Sequence, residues 1–450
     1  TAWEANGFKS ATDNAASEVG YFLAASKRRW TGMRRDLSRL GKRGSQAATS
    51  LYRKRQQPVA GSTLLIGYID AQLGLGQSLR GLALALSHTS RPFSIYPFTV
   101  GVEDRRGAPY MEERYDTRRA HAVNVIEVTP DELPKVFGSI GSTHFDQSYT
   151  ILRTYWELSR APESWRPKLA SIDEIWAPNA FVAESFKTVF DGPITVIPPC
   201  VIPPDIDGLP ADEDARARFG LDAGRFYFFF SFDYYSFLQR KNPLAVVRAF
   251  QKAFPDHAAQ VGLVVKSTGS ADHHPEVKKQ LARMASFDDR IRIIDQSLSR
   301  GQMLSLMKAT DCYVSLHRAE GFGLGMAEAM TLGKPVIGTD YSGNTEFVRR
   351  DTAYPIAYRL KRLSPHDYIY TEGQVWAEPD EVDCAAAMVK VVSEPDDARR
   401  RAEAGKAFIH ERFGVDNVAR LIDARLEEIL NGPDAVSYTH LRAHETREDL

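Results

Sequence analysis

The sequence predicts an α/β protein whose parallel sheets are divided between two domains, and three observations carry that prediction. From Ser62 onward, short apolar runs alternate with stretches of helical periodicity. Alternation of this kind buries a sheet under helices on both faces. Residues 198–210 (PPCVIPPDIDGLP) hold five prolines in thirteen residues and split the alternating region in two. Proline cannot donate to a sheet ladder, so this stretch reads as a linker, and each side is long enough for a core of its own.

The elements follow in order. Residues 27–56 carry eleven Lys and Arg against Asp36 alone, with Trp30, Met33, Leu37 and Leu40 at helical spacing. Such a segment reads as a solvated helical linker, with peripheral contact to an anionic membrane as the alternative. Nucleic acid is set aside as a partner, because aromatic residues are sparse there and the chain that follows is acidic. Strands are expected at 63–69 (TLLIGYI), 122–127 (AVNVIE), 148–156, 193–198 (PITVIP), 226–232, 261–265, 291–294, 311–316 and 335–339. Ser299 and Gln302 form a capping box in front of Met303, Leu304 and Met307. A final helix over 415–430 puts Val418, Leu421, Ile422 and Ile429 on one face. The tail after Val436 has no apolar period and is expected to be disordered or non-native.

Composition narrows the classes. Hydrophobic residues make up 43% and charged residues 26%, the ordinary mix of a soluble globular protein rather than a disordered one. No apolar run approaches the ~20 residues that span a bilayer. The net charge of −1 conceals an arm of +10 at 27–56 and −11 elsewhere. Cys200, Cys312 and Cys384 are too few and too scattered for a disulfide framework or a cysteine zinc site, which favours a reducing compartment. The chain starts at Thr1, so the natural start is expected upstream, and no secretory signal is recognisable.

The segment richest in chemistry is 311–346, DCYVSLHRAEGFGLGMAEAMTLGKPVIGTDYSGNTE. A strand runs into a loop containing Gly321, Gly323 and Gly325, and a helix begins near Leu324. Backbone N–H groups at such a turn approach a ligand closely, and the helix dipole favours anions. Glu320 precedes the loop and Glu328 lies about one turn into the helix. Two carboxylates so placed suit sugar hydroxyls and developing positive charge. In 226–250 a buried strand leads to Arg240-Lys241-Asn242-Pro243, two cations at a strand-to-helix turn where a diphosphate's charge is offset. Gly74 and Gly76 follow the first strand and open a helix. Trp176-Ala177-Pro178-Asn179 ends another strand and caps a helix. Asp205 with Asp207, and His273-His274 with Asp272, read as linker and solvated loop rather than metal ligands. Neither a Gly-x-Ser-x-Gly elbow nor a P-loop occurs.

The Glu-x7-Glu spacing in EGFGLGMAE, followed by GKPVIGTD and SGNTEF, resembles the retaining family 4 glycosyltransferases of GT-B fold. The resemblance covers about residues 60–430. It implies two Rossmann-like domains facing a cleft: 1–59 a basic extension, 60–205 the acceptor domain and 206–412 the nucleotide-sugar domain. Residues 413–432 would be a helix crossing back to the first domain, and 433–450 a tail. By the same resemblance Glu320 contacts the donor sugar and Glu328 the ribose. Gly321, Phe322, Gly323, Leu324, Gly325, Gly74, Gly76 and Asn344 belong to the donor site. The family's Gly-Arg after the 226–232 strand is replaced by Ser231-Phe232, so Lys241 maps onto the family lysine and Arg240 is a stand-in. His144 and Glu157 are candidates for sugar or acceptor contact, on the pattern of a family histidine in this domain. The implied reaction transfers a hexose from a UDP- or GDP-sugar to a glycan, polysaccharide or lipid-linked acceptor with retention, without cofactor or metal. The expected setting is the cytoplasm or the cytoplasmic face of a membrane. The rival readings are a GT-B sugar-nucleotide epimerase and a non-catalytic sugar-nucleotide-binding module.

Overall fold

The computed structural model describes residues 58–141, 144–145, 147–202, 212–269 and 274–432. The basic segment 27–56, the Asp205–Asp207 pair, Asp272, His273 and the tail after 432 lie outside the described residues.

Two six-stranded parallel sheets form two lobes. The first has the order β2-β1-β3-β4-β5-β6, from β1 (Val59–Gly67), β2 (Phe93–Pro97), β3 (His121–Glu127), β4 (Tyr149–Arg153), β5 (Glu174–Ala177) and β6 (Ile194–Val196). The second has the order β12-β11-β10-β7-β8-β9. Its strands are β7 (Phe226–Asp233), β8 (Val261–Thr268), β9 (Ile291–Asp295), β10 (Cys312–Ser315), β11 (Val336–Thr339) and β12 (Tyr354–Ile356). Both orders reverse direction once, between β1 and β3 and between β7 and β10. A crevice opens at the carboxyl ends of the strands where the order reverses, and open α/β sheets bind ligands there.

The sheets are covered on both faces, which explains the near-continuous apolar runs. In β7 (FYFFFSFD), Phe228, Phe229 and Phe230 are all buried, alternately against one helical layer and the other. The helix Pro243–Ala253 starts on a proline, whose missing N–H costs nothing in the first turn, and buries Val246, Val247 and Phe250. The Ser299–Gln302 capping box is present with both of its hydrogen bonds. The helix Val415–Asn431 packs on the first lobe, with Val418, Ala419, Ile422 and Leu426 in the same core as Leu65, Leu82 and Trp176. Arg425 from this helix forms two 2.9 Å contacts with the buried Glu174 carboxylate of β5.

Several elements are absent from the sequence-based reading. Strands β2 and β12 are edge strands of five and three residues that are only partly buried and were not among the apolar runs. An antiparallel hairpin, β13 (Tyr358–Arg362) with β14 (Val375–Pro379), interrupts the second lobe before the helix Glu381–Ser393. All five residues of β13 are exposed, so no apolar alternation marks it. The expected strand 148–156 ends at Arg153, and residues 154–157 continue as irregular backbone. No helix among the described residues is long and apolar enough to cross a membrane.

Candidate active site

The turn after β7 and the turn after β10 face each other across the β7/β10 reversal point, and the start of the helix Gly74–Ser87 closes the space from the first lobe. The resulting cavity of about 380 Å³ is lined by Gly74, Glu157, Arg240, Lys241, Glu320 and the loop from Gly321 to Gly325.

Glu320 is the hub. Its Oε1 is 2.5 Å from Lys241 Nζ and its Oε2 is 3.1 Å from Arg240 Nη1. Burial alone pushes this carboxyl up, but the Lys241 and Arg240 charges outweigh it and hold the group at about 2. Burial in turn lowers Lys241, while Glu320 and Glu157 outweigh burial at Arg240 and raise it. The cations are held by backbone as well. Arg240 Nη1 donates to Ala319 O at 2.9 Å, and Arg240 O accepts from the Arg318 amide at 2.8 Å. Asn242, in the left-handed region at φ 54°, donates its Nδ2 to Leu316 O at 3.0 Å.

A second network fixes the Glu320 loop from below. The amide of Glu320 donates to Ser342 Oγ at 2.8 Å, and the Gly343 amide donates to Glu320 O at 2.9 Å. Asn344 is fully buried, its Nδ2 donating to Thr339 O and its Oδ1 lying 2.8 Å from His317 Nε2. Because that oxygen only accepts, His317 carries its proton on Nε2, and Nδ1 accepts from the Ser315 hydroxyl at 3.0 Å. Burial pushes His317 down to about 4, so it stays neutral and serves as a spacer between the two loops. From the first lobe, Asn179 caps the helix Ala180–Phe186 with its Oδ1 and donates its Nδ2 to Gly321 O at 2.6 Å. Arg105 reaches across the other side of the cavity to Asp233 at 3.1 Å and lies 4.4 Å over the Tyr235 ring.

Residues 213–362 match the family model described as Glycosyl transferases group 1. Among solved structures, HepE of Anabaena in complex with UDP and glucose is 14% identical, covering 81% of this chain and 98% of that one with a TM-score of 0.58. The sucrose-phosphate synthase of Thermosynechococcus elongatus is 15% identical over 82% of this chain and 98% of that one, TM-score 0.59. A glycosyltransferase from Rickettsia africae is 15% identical over 83% and 99%, TM-score 0.57. The fold is GT-B. No curated protein matches the sequence.

Within this GT-B frame some sequence-derived candidates come together and others do not. Glu320, Lys241, Arg240, Glu157, Gly74 and the 321–325 loop all meet at the cavity. Glu328 is not among the lining residues, and its carboxylate is held by Arg300 at 2.7 Å. Gly76 sits under the turn rather than on the cavity, since a Cβ there would lie 2.3 Å from Ala71 O. Asn344 supports the Glu320 loop through His317 and does not line the cavity. His144 is buried before the amino end of β4, its ring edge-on to Tyr96 at 6.1 Å, whereas the cavity lies at the carboxyl ends. A residue just ahead of a parallel strand is placed at the end of the sheet opposite the ligand crevice. Among the described residues the one metal-ligand-like group is His257, Asp288 and Asp289, outside the cavity, with Asp288 bonded to Arg290. Arg105, Ser315, His317 and Asp233 escaped the sequence reading. Of these only His317, three residues before Glu320, carried a signal that could have been weighed.

Proposed function

We propose that the protein is a retaining glycosyltransferase that moves a hexosyl group from a UDP- or GDP-sugar to a glycan, polysaccharide or lipid-linked acceptor. The observation that carries this reading is the convergence of Glu320, Lys241 and Arg240 with the 321–325 loop at the β7/β10 reversal point, facing Gly74. The family match over 213–362 supports it. So do the UDP and glucose found with the Anabaena structure.

In this reading the diphosphate sits between the two cations and the amides at the start of the helix Leu324–Thr331. It competes with Glu320 for Lys241 and Arg240, and the carboxylate so released turns to the donor sugar, where positive charge develops as the glycosidic bond breaks. The leaving phosphate takes the proton of the acceptor hydroxyl, so no protein nucleophile is assigned. Glu328 is assigned to the ribose, which requires it to exchange Arg300 for hydroxyl donors. Closure of the lobes excludes water from the donor. No metal or cofactor is assigned to the site.

The test is incubation with UDP- and GDP-hexoses and a panel of acceptors, following nucleoside diphosphate release and the anomeric configuration of the product. Epimerised donor without release would favour a sugar-nucleotide epimerase instead, and binding without any turnover would favour a non-catalytic module. We further propose that residues 27–56, at +10, bring the enzyme to an anionic membrane surface. Failure to sediment with anionic vesicles at low salt would remove that part of the reading.

A further inference from the structure

Tyr368 lies beyond the segment that matches the glycosyltransferase family, in the loop between β13 and β14, yet it packs in the first lobe's core and reaches Glu157, a residue that lines the cavity. Its ring is 8% exposed and belongs to the first lobe's core, 5.8 Å from the Trp156 ring and 4.5 Å from that of Phe237. The rest of the loop is tied down too. Arg160 donates to Gly373 O at 2.6 Å, Gln374 donates to Arg160 O at 2.6 Å, and Tyr370 donates to Asp131 at 2.9 Å. The Tyr368 hydroxyl therefore has little freedom, and it donates to Glu157 Oε2 at 2.8 Å.

The other oxygen of that carboxylate, Oε1, stands 3.6 Å from Arg240 Nη2. A charge-assisted contact of this type closes to about 2.7–2.9 Å when nothing restrains it. Arg240 Nη1 is engaged by Ala319 O and Glu320, while its buried Nε has no hydrogen-bond partner among the described residues. One edge of the guanidinium is thus used and the other is incompletely paired, and the oxygen of Glu157 nearer to it belongs to a carboxylate that also accepts from the tyrosine.

We propose that Tyr368 is a positioning residue: its hydroxyl holds Glu157 back from Arg240 and keeps one edge of that cation for an anionic ligand, the diphosphate of a sugar nucleotide. The proposal rests on the reading of the cavity as the nucleotide-sugar site. Without the hydroxyl, Glu157 closes on Arg240 and competes with the diphosphate. Without the Glu157 charge, the hydroxyl has nothing to restrain.

The experiment uses the full chain with Tyr368→Phe, Glu157→Gln and the double variant. UDP is titrated by calorimetry, and melting temperatures are recorded with no ligand added. Tyr368→Phe should weaken UDP binding by about fivefold, a change of the size one modest polar interaction gives. Glu157→Gln should bind UDP at least as well as the parent, and the double variant should match Glu157→Gln. A hydroxyl with a merely structural role would not produce that opposition of sign. Unchanged UDP affinity in Tyr368→Phe, or an equal loss with and without Glu157, overturns the proposal. If the parent binds neither UDP nor GDP, the nucleotide-sugar reading of the cavity fails on that result. The restraint on Glu157 is then decided by the melts: the change in melting temperature caused by Tyr368→Phe must differ between the parent and Glu157→Gln, and equal shifts overturn it.

Discussion

Glu320 is a carboxylate that two cations, Lys241 and Arg240, hold well below the ordinary carboxylate range. Its carboxyl stands at about 2 against an ordinary 4.5, so its pairing contributes fully above 4.5 and is lost as the pH falls through about 2. Glu320→Gln should therefore lower the melting temperature by a constant amount above pH ~5, with the gap narrowing below pH ~4. A gap that widened on acidification would contradict the pairing. At neutral pH the loss should correspond to about 3 kcal/mol, the usual cost of leaving buried charge without its partner. Glu320→Ala should cut turnover about 100-fold or more while changing UDP affinity far less, because its proposed partner is charge that develops on the sugar. This residue was legible in the sequence because two glutamates with seven residues between them around a glycine loop form a local pattern. His317 was not. A single histidine means little until folding sets Ser315 on one side of it and Asn344, twenty-seven residues away, on the other.

At the scale of elements, legibility followed burial. Central strands such as β7 and β8, covered on both faces, appear as apolar runs, and the capping box appears as Ser-x-x-Gln. The β13–β14 hairpin was invisible, because β13 is exposed at every position and the residues that hold its connecting loop, Glu157 and Arg160, lie in the first lobe, far away in sequence. The turns after β7 and β11 illustrate another limit. Phe237, Asn242 and Ser342 adopt left-handed conformations without being glycine, which local propensity argues against, and the surrounding contacts enforce them. Close approach of two loops sets the next prediction. A methyl group at Gly343 would lie 2.1 Å from Gly321 O and 2.5 Å from Asn179 Nδ2. Gly343→Ala must displace the Gly321 loop from Asn179, so it should weaken UDP binding about tenfold or more and lower the melting temperature. The cost should be on the order of 1–3 kcal/mol, the usual range for overpacking. Unchanged UDP affinity in the calorimeter would separate the loop's position from its proposed task.

For the whole molecule, the chain crosses between lobes more than once. The alternating pattern and the proline-rich stretch announced two sheets, but pairing across lobes is a property of three-dimensional proximity that no local pattern carries. The helix Val415–Asn431 returns to the first lobe, where Arg425 meets Glu174, a carboxylate that is 0% exposed and also accepts from Tyr149, Trp176 and Thr195. Arg91 grips the same helix through Asp423 and Glu427. Arg425→Ala should destabilise the protein by about 3 kcal/mol, because the neutral donors that remain do not offset the buried charge. Arg91→Ala, whose partners face solvent, should cost no more than about 1 kcal/mol. Chemical denaturation of the two variants distinguishes these outcomes, and equal costs would show that Glu174 does not depend on its cation.

That return helix also decides how the molecule can be recombined. A hybrid joined once, in the stretch between the sheets, would seat one parent's Arg425 face against the other parent's Glu174 pocket and Leu65–Trp176 core. Exchanging specificity between such proteins therefore takes two crossovers, the second near Gly414, so that the final helix travels with the sheet it covers rather than with the lobe it follows in sequence.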